Sequence, residues 1–153
     1  MALENDIQAP DFDLPNQFGE HVRLADYRGV RPVALVFFPL AFTGTCTGEL
    51  CELRDSMELF DDAGVELMAI SVDSKATLAR FAQEEGYAFR LLSDFWPHGE
   101  VASRYDSFLP QRGIATRATF LIDASGLVAA AFRTEPGQAR PLAAYREVLA
   151  ALG

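Results

Sequence analysis

The sequence predicts an α/β fold, a central mixed β-sheet flanked by helices, and three observations predict it. The run Pro32-Val33-Ala34-Leu35-Val36-Phe37-Phe38 is almost unbroken apolar, the pattern of a strand buried on both faces. Downstream, strand-like and helix-like periodicities alternate along the chain. Near the end, two further apolar runs flank Asp123-Ala124-Ser125-Gly126, a turn sequence suited to an antiparallel hairpin. Strands interleaved with helices, closed by a hairpin and a final helix, make a mixed sheet with helices on both faces.

The elements follow in order. Ala9 to Leu14 alternates like an edge strand, and Asn16 to Gly19 turns it into His21-Val22-Arg23-Leu24, an N-terminal hairpin. After the central strand, Leu50, Leu53, Met57 and Phe60 fall at 3, 4, 3 spacing and predict one helix from about Thr45 to Phe60. At ~100° per residue, Cys46 lands on that inward stripe, whereas Cys51 lies roughly opposite, beside Asp55 and Glu58, facing water. Val65 to Val72 reads as the next strand. Asp73 or Ser74 caps a helix running to about Glu85, with Leu78, Phe81 and Ala82 inward and Gly86 as its stop. Phe89 to Leu92 is a short strand, and Ser93 to Gly99 leads into a short helix ending near Tyr105. Arg117 to Ile122 and Leu127 to Phe132 are the hairpin strands. Leu142, Tyr145, Leu149 and Leu152 repeat the inward spacing for a tail helix. Nothing along residues 1–153 reads as a linker, repeat or low-complexity segment, so one domain is expected.

Composition narrows the function. Half of the 153 residues are apolar and 23% are charged, which argues against disorder. A net charge of −9 makes nucleic acid and anionic membrane poor partners. The longest apolar stretch, Pro32 to Phe42, is too short to span a bilayer and holds two prolines. Glu4 and Asp6 near the start, with no basic-then-apolar pattern, point to the cytoplasm rather than export. Two cysteines do not make a secreted disulfide scaffold; in a cytosolic chain they point to redox or metal chemistry. His21 reads as a solvated strand residue and His98 as a cap of the helix that follows Pro97. No nearby Cys or His completes a ligand set, so no metal is expected. No dinucleotide or phosphate fingerprint is present, and no organic cofactor is expected.

Cys46 is the residue that could do chemistry. The central strand stops at Pro39, crosses Leu40-Ala41-Phe42-Thr43-Gly44-Thr45, and the helical pattern opens around this thiol. Unpaired backbone N–H groups and the helix dipole favour negative charge there, and a thiolate is the reactive form of cysteine. The plain alternative is a cysteine that fills core space. Arg117, at the start of an apolar strand, has its own plain alternative as a surface ion-pair residue. Glu49, one helical turn after Cys46, reads by itself as an ordinary glutamate favoured by the dipole.

Pro39-x-x-x-Thr43-x-x-Cys46 resembles the active-site signature of the peroxiredoxins, thiol peroxidases on a thioredoxin-like fold. The likeness spans nearly the whole chain: Ala9-Pro10-Asp11-Phe12, Phe37-Phe38-Pro39, Ser93-Asp94, and Gly113-Ile114-Ala115-Thr116-Arg117-Ala118-Thr119-Phe120. The segments Phe38 to Gly44 and Ser93 to Gly99 are most similar to the one-cysteine AhpE type. The resemblance implies Cys46 as nucleophile, Arg117 and Thr43 as partners of the reacting oxygens, and Pro39 as a shield of the sulfur. It also implies a carboxylate at Glu49 that helps hold the arginine, and loops near the site that form a homodimer contact. The implied partners are a hydroperoxide and a thiol reductant, whether thioredoxin, a glutaredoxin-like protein or a low-molecular-weight thiol.

Cys51 departs from the AhpE pattern and matches the bacterioferritin-comigratory (PrxQ) type, whose resolving cysteine lies five residues after the reactive one. Residues five apart on an intact helix have Cα atoms about 8.6 Å apart, whereas disulfides rarely tolerate more than about 7 Å. A Cys46–Cys51 bond therefore needs the first turns to unwind, which Gly44 and Gly48 would ease. The alternatives are a one-cysteine peroxidase resolved by an external thiol, a thioredoxin-like disulfide oxidoreductase, for which the x₄ spacing is wrong, and a redox sensor without fast turnover.

Overall fold

The computed structural model describes residues 6–135 and 137–152, and the side chains of Cys46 and Ala151 lie outside the described part. In chain order the strands are β1 (Asp13–Pro15), β2 (His21–Arg23), β3 (Val33–Phe37), β4 (Glu66–Ser71), β5 (Arg90–Ser93), β6 (Phe108–Leu109), β7 (Ile114–Ala115), β8 (Arg117–Ile122) and β9 (Val128–Thr134). The α-helices are α1 (Gly44–Arg54), α2 (Met57–Ala63), α3 (Lys75–Glu85), α4 (Glu100–Arg104) and α5 (Leu142–Ala151). The main sheet has the order β5-β4-β3-β8-β9. β3, β4 and β5 run parallel, and β8 and β9 run antiparallel to their neighbours. β3 is central, and every residue in it is buried, as its unbroken apolar run requires.

Alternation along β3 divides the core in two. Ala34 and Val36 face one side, with Leu50 and Leu53 of α1, Phe60 of α2, Leu78 and Phe81 of α3, and Tyr145 and Leu149 of α5. Val33, Leu35 and Phe37 face the other, where the N-terminal hairpin, Val101 and Ala102 of α4, and Tyr105 close the layer. Helices thus lie on both faces, but unequally: the second face is covered largely by the hairpin and its following 3₁₀ turn, Leu24–Tyr27. Among the described residues, no helix is long and apolar enough to cross a membrane.

The helix expected from Thr45 to Phe60 is two helices. Asp55 closes α1, its N–H bonded to the Cys51 carbonyl, and α2 begins after Ser56. The apolar spacing runs through the break because Leu53 and Phe60 pack into the same core layer on either side of it. Ser and Asp hydrogen-bond locally and favour helix ends over helix interiors, which explains a break at this pair. Ser74, not Asp73, caps α3: its hydroxyl accepts from the Thr77 N–H at 3.2 Å. Gly86 ends α3 with φ +70°, in the left-handed region.

Candidate active site

The parallel strands β3 and β4 deliver their C-terminal ends to one edge of the sheet, where α/β folds place their sites. From β3 the chain crosses Phe38 to Thr43 and enters α1, with Cys46 as its third residue. Two features hold this crossing. Asp73, just after β4, accepts the Ala41 N–H at 2.8 Å and the Ser71 hydroxyl at 2.7 Å. Phe42 takes φ +64°, a costly conformation for a bulky residue, and packs on Phe81 at 4.9 Å between ring centroids.

Thr43 is the N-cap residue of α1 but does not cap it with its side chain. Its hydroxyl donates to the Leu40 carbonyl at 3.0 Å. In this conformation the Thr43 proton is used within the loop. Among the described residues, the first-turn N–H groups of α1 have no side-chain cap, and Thr47 makes the first backbone bond back to Thr43. An uncapped helix start of this kind attracts negative charge.

Pro39, Thr43, Gly44 and Thr45 line a cleft of about 400 Å³ together with Arg112 and Arg117. Arg117 opens β8 and is 2% exposed. β8 pairs with β3, which brings a residue 71 positions beyond Cys46 to the start of α1. Four of the residues singled out in the sequence therefore meet at one place: Pro39, Thr43 and Arg117 at the cleft, and Glu49 behind it. The Cys46 side chain lies outside the described residues; its backbone stands in the turn that lines this cleft.

Glu49 is 4% exposed and ties α1 to two arginines. One carboxylate oxygen accepts from Arg117 at 3.1 Å and from Arg140 at 2.5 Å, and the other accepts from the Arg140 side chain at 3.0 Å. Arg140 also donates to the Ala118 carbonyl at 2.8 Å and the Thr119 hydroxyl at 3.1 Å. Burial would raise the Glu49 carboxyl, but hydrogen bonds and charge from Arg140, with added charge from Arg117, hold it below its ordinary value. A buried carboxylate is tolerable when paired in this way. Arg140 was not evident in the sequence: it lies in a Gly- and Pro-containing loop with no periodic pattern.

Cys51 does not face open water as its angular position predicted. It is half-buried, a free thiol against the end of α3. Its Sγ donates to the Glu85 carboxylate at 3.4 Å and lies 3.5 Å from the Tyr87 hydroxyl. Burial first, then the contact with Cys51, push the Tyr87 phenol above its usual range, so it stays neutral. A helix packed under another helix end, as well as against a sheet, has less solvent face than a one-sided periodicity implies.

The remaining candidates are structural. His98 does not cap α4 as expected: its ring bonds the Gly113 carbonyl at 2.7 Å, while His21 bonds Asp13 at 2.7 Å. Asp94 accepts the N–H groups of Val101 and Ala102 and so caps α4. Among the described residues no group of three His, Cys, Asp or Glu could hold a metal ion.

Comparison with known proteins gives the same direction. Residues 6–131 match the AhpC/TSA family. Alkyl hydroperoxide reductase E of Mycobacterium tuberculosis is 47% identical over 144 residues, 94% of each chain. Peroxiredoxin Bcp of Escherichia coli is 40% identical over 131 residues, 78% of this chain and 79% of that one. The crystal structure of peroxidoxin BcpB from Mycobacterium tuberculosis superposes with a TM-score of 0.84 at 30% identity, covering 98% and 96% of the two chains. Reduced 2-Cys peroxiredoxin of Plasmodium vivax gives 0.87 at 27% identity, covering 98% and 82%. Both structures carry the thioredoxin-like fold that the resemblance implied. With a signature loop, a buried arginine at its cleft and relatives alike over most of their length, this chain belongs to the AhpC/TSA family and is a peroxiredoxin.

Proposed function

We propose that this thiol-dependent peroxidase reduces hydrogen peroxide and organic hydroperoxides with Cys46 as its nucleophile. The observation that carries the assignment is the buried Arg117 beside the uncapped start of α1, fixed by Glu49 from the same helix. The Cys46 thiolate attacks one peroxide oxygen. An S–O bond forms, the O–O bond breaks, and water or an alcohol leaves after protonation, with a sulfenic acid on sulfur.

Magnitudes decide which group matters most. A thiol of ordinary pKa, about 8.5, is roughly 3% ionised at pH 7, so full ionisation gains at most ~30-fold. Enzymes supply on the order of 10⁶-fold or more. Most of the effect must come from donors aimed at the departing oxygen. Arg117 supplies fixed positive charge, the α1 N–H groups add theirs, and Thr43 contributes once its hydroxyl turns from the Leu40 carbonyl. Pro39 has no N–H and shields the sulfur from water.

Cys51 is the proposed resolving thiol, forming an intramolecular disulfide with Cys46 that an external dithiol or low-molecular-weight thiol then reduces. The second reading is a one-cysteine cycle in which an external thiol attacks the sulfenic acid, and the half-buried setting of Cys51 under Glu85 and Tyr87 favours that reading in the closed state. Mass spectrometry of peroxide-treated protein separates them: a Cys46–Cys51 disulfide is expected, and a persistent Cys46 sulfenic acid with free Cys51 overturns it. Cys46→Ser is expected to abolish turnover with either peroxide class.

The whole chain is proposed to act as one cytoplasmic domain. A homodimer contact is proposed at the sheet edge carrying the site. Leu40 and Phe42 follow β3, Phe95 and Trp96 follow the parallel β5, and all four are exposed.

A further inference from the structure

The end of α3 grips α1 at three points that the peroxidase chemistry does not use. Thr47, Cys51 and Arg54 share one face of α1, at spacings of four and three. The Tyr87 hydroxyl donates to the Thr47 carbonyl at 3.3 Å, Cys51 Sγ donates to the Glu85 carboxylate, and Arg54 donates to the Glu85 carbonyl at 2.5 Å. Tyr87 is itself fixed, edge-on to Phe81 and stacked on Phe89, each at 5.1 Å. Phe81 also carries Phe42 of the active-site loop.

The stretch held in this way is weak by itself. Gly44 and Gly48 lie in α1, yet a Cβ at either would meet nothing within 4 Å. Packing does not require glycine there, and Gly48, inside the helix, makes it about fivefold less favourable than alanine. Among the described residues, no side chain is bonded to the helix start. Thr47 lies between the two cysteines, in the turn that must open before sulfurs on Cα atoms about 8.6 Å apart can join.

We propose that Tyr87 and Glu85 are positioning residues of the resolving step: Tyr87 keeps the turn at Thr47 helical, Glu85 keeps the Cys51 thiol docked, and release of this corner sets the rate of disulfide formation. The inference rests on Cys51 as the resolving thiol. In that step the Cys51 thiolate attacks the Cys46 sulfenic sulfur. The S–S bond forms, the S–O bond breaks, and the hydroxide leaves as water with the proton given up by Cys51. Cys51 is oxidised and Cys46 reduced.

Rapid-quench mass spectrometry of the full chain mixed with hydrogen peroxide tests it, with Cys46 oxidation and disulfide formation timed separately. Tyr87→Phe keeps the ring and removes the hydroxyl. It is expected to speed disulfide formation about 3- to 10-fold, the worth of one net hydrogen bond, without changing the oxidation step. Gly48→Ala is expected to slow disulfide formation about fivefold. Hydrogen exchange in reduced Tyr87→Phe should accelerate within residues 47–51 and not in β3; acceleration spreading into β3 would mean general loosening and overturn the proposal. A wild-type disulfide whose rate Tyr87→Phe leaves unchanged or slows overturns the positioning role alone. A disulfide seen only in Tyr87→Phe supports it. No disulfide in the wild type or either variant overturns the resolving role of Cys51, and this inference with it.

Discussion

Glu49 is the residue on which the site's geometry turns. It lies on α1 one turn beyond Cys46, yet its carboxylate is spent entirely on Arg117 and Arg140. Removing the negative partner of a buried ionic cluster leaves buried positive charge less compensated, at a cost of about 3–5 kcal/mol. Glu49→Gln is therefore expected to lower Tm by roughly 10 °C and to slow peroxide reduction, because Arg117 loses its anchor. Calorimetry and stopped-flow oxidation check the two parts. The pH dependence has a definite sign. A carboxyl held below its ordinary 4.5 contributes stability above that pH and loses it as acid protonates the folded form. The stability gap between wild type and Glu49→Gln should therefore be full at neutral pH and narrow as pH falls below about 4. Sequence singled out Cys46, Thr43, Pro39 and Arg117 as candidates through one motif and one distant segment. Arg140 carried no signal, since a lone arginine before Pro141 looks like any surface residue until the chain folds over Glu49.

At the scale of elements, the loop between β3 and α1 is held by its neighbours. Asp73 follows β4 and accepts the Ala41 N–H, while the adjacent Ser74 only caps α3. Their substitutions should part company. Ser74→Ala is expected to cost about 1 kcal/mol of stability with peroxidase rates nearly intact. Asp73→Ala leaves the Ala41 N–H and the Ser71 hydroxyl without their acceptor, costs about 1–3 kcal/mol, and slows oxidation of Cys46 by loosening the loop. Denaturant unfolding beside stopped-flow rates separates the two. The sequence left the choice of cap open because Asp and Ser are equally good acceptors at a helix start; only the position of Ala41, 32 residues earlier, decides it. The break between α1 and α2 was hidden for a related reason. Core periodicity reports which face is buried, and Leu53 and Phe60 share a face on both sides of the break.

For the whole molecule, the sheet brings together what the chain keeps apart. β8 inserts beside β3, so Arg117 arrives at a loop that ends 74 residues upstream, at Thr43, only because the antiparallel hairpin β8–β9 joins the parallel strands. The mixed sheet and the closing hairpin were readable from the apolar runs and turn residues, but the place of β8 beside β3 was not; the short β6–β7 pair, two residues each, lies below the length at which periodicity speaks. The exposed Phe42, Phe95 and Trp96 at the same edge give an expectation for assembly. Sedimentation should find a dimer, and Trp96→Glu should shift it toward monomer by placing a charge in the contact. In this mechanism, stabilising the departing oxygen outweighs ionising the sulfur. The direct test is the second-order rate of Cys46 oxidation by hydrogen peroxide in wild type and Arg117→Ala across pH, with the thiolate fraction measured in the same samples by ultraviolet absorbance. After correction for thiolate, the variant should be slower by about 10²–10³-fold; a rate loss fully explained by the change in thiolate fraction would contradict the account.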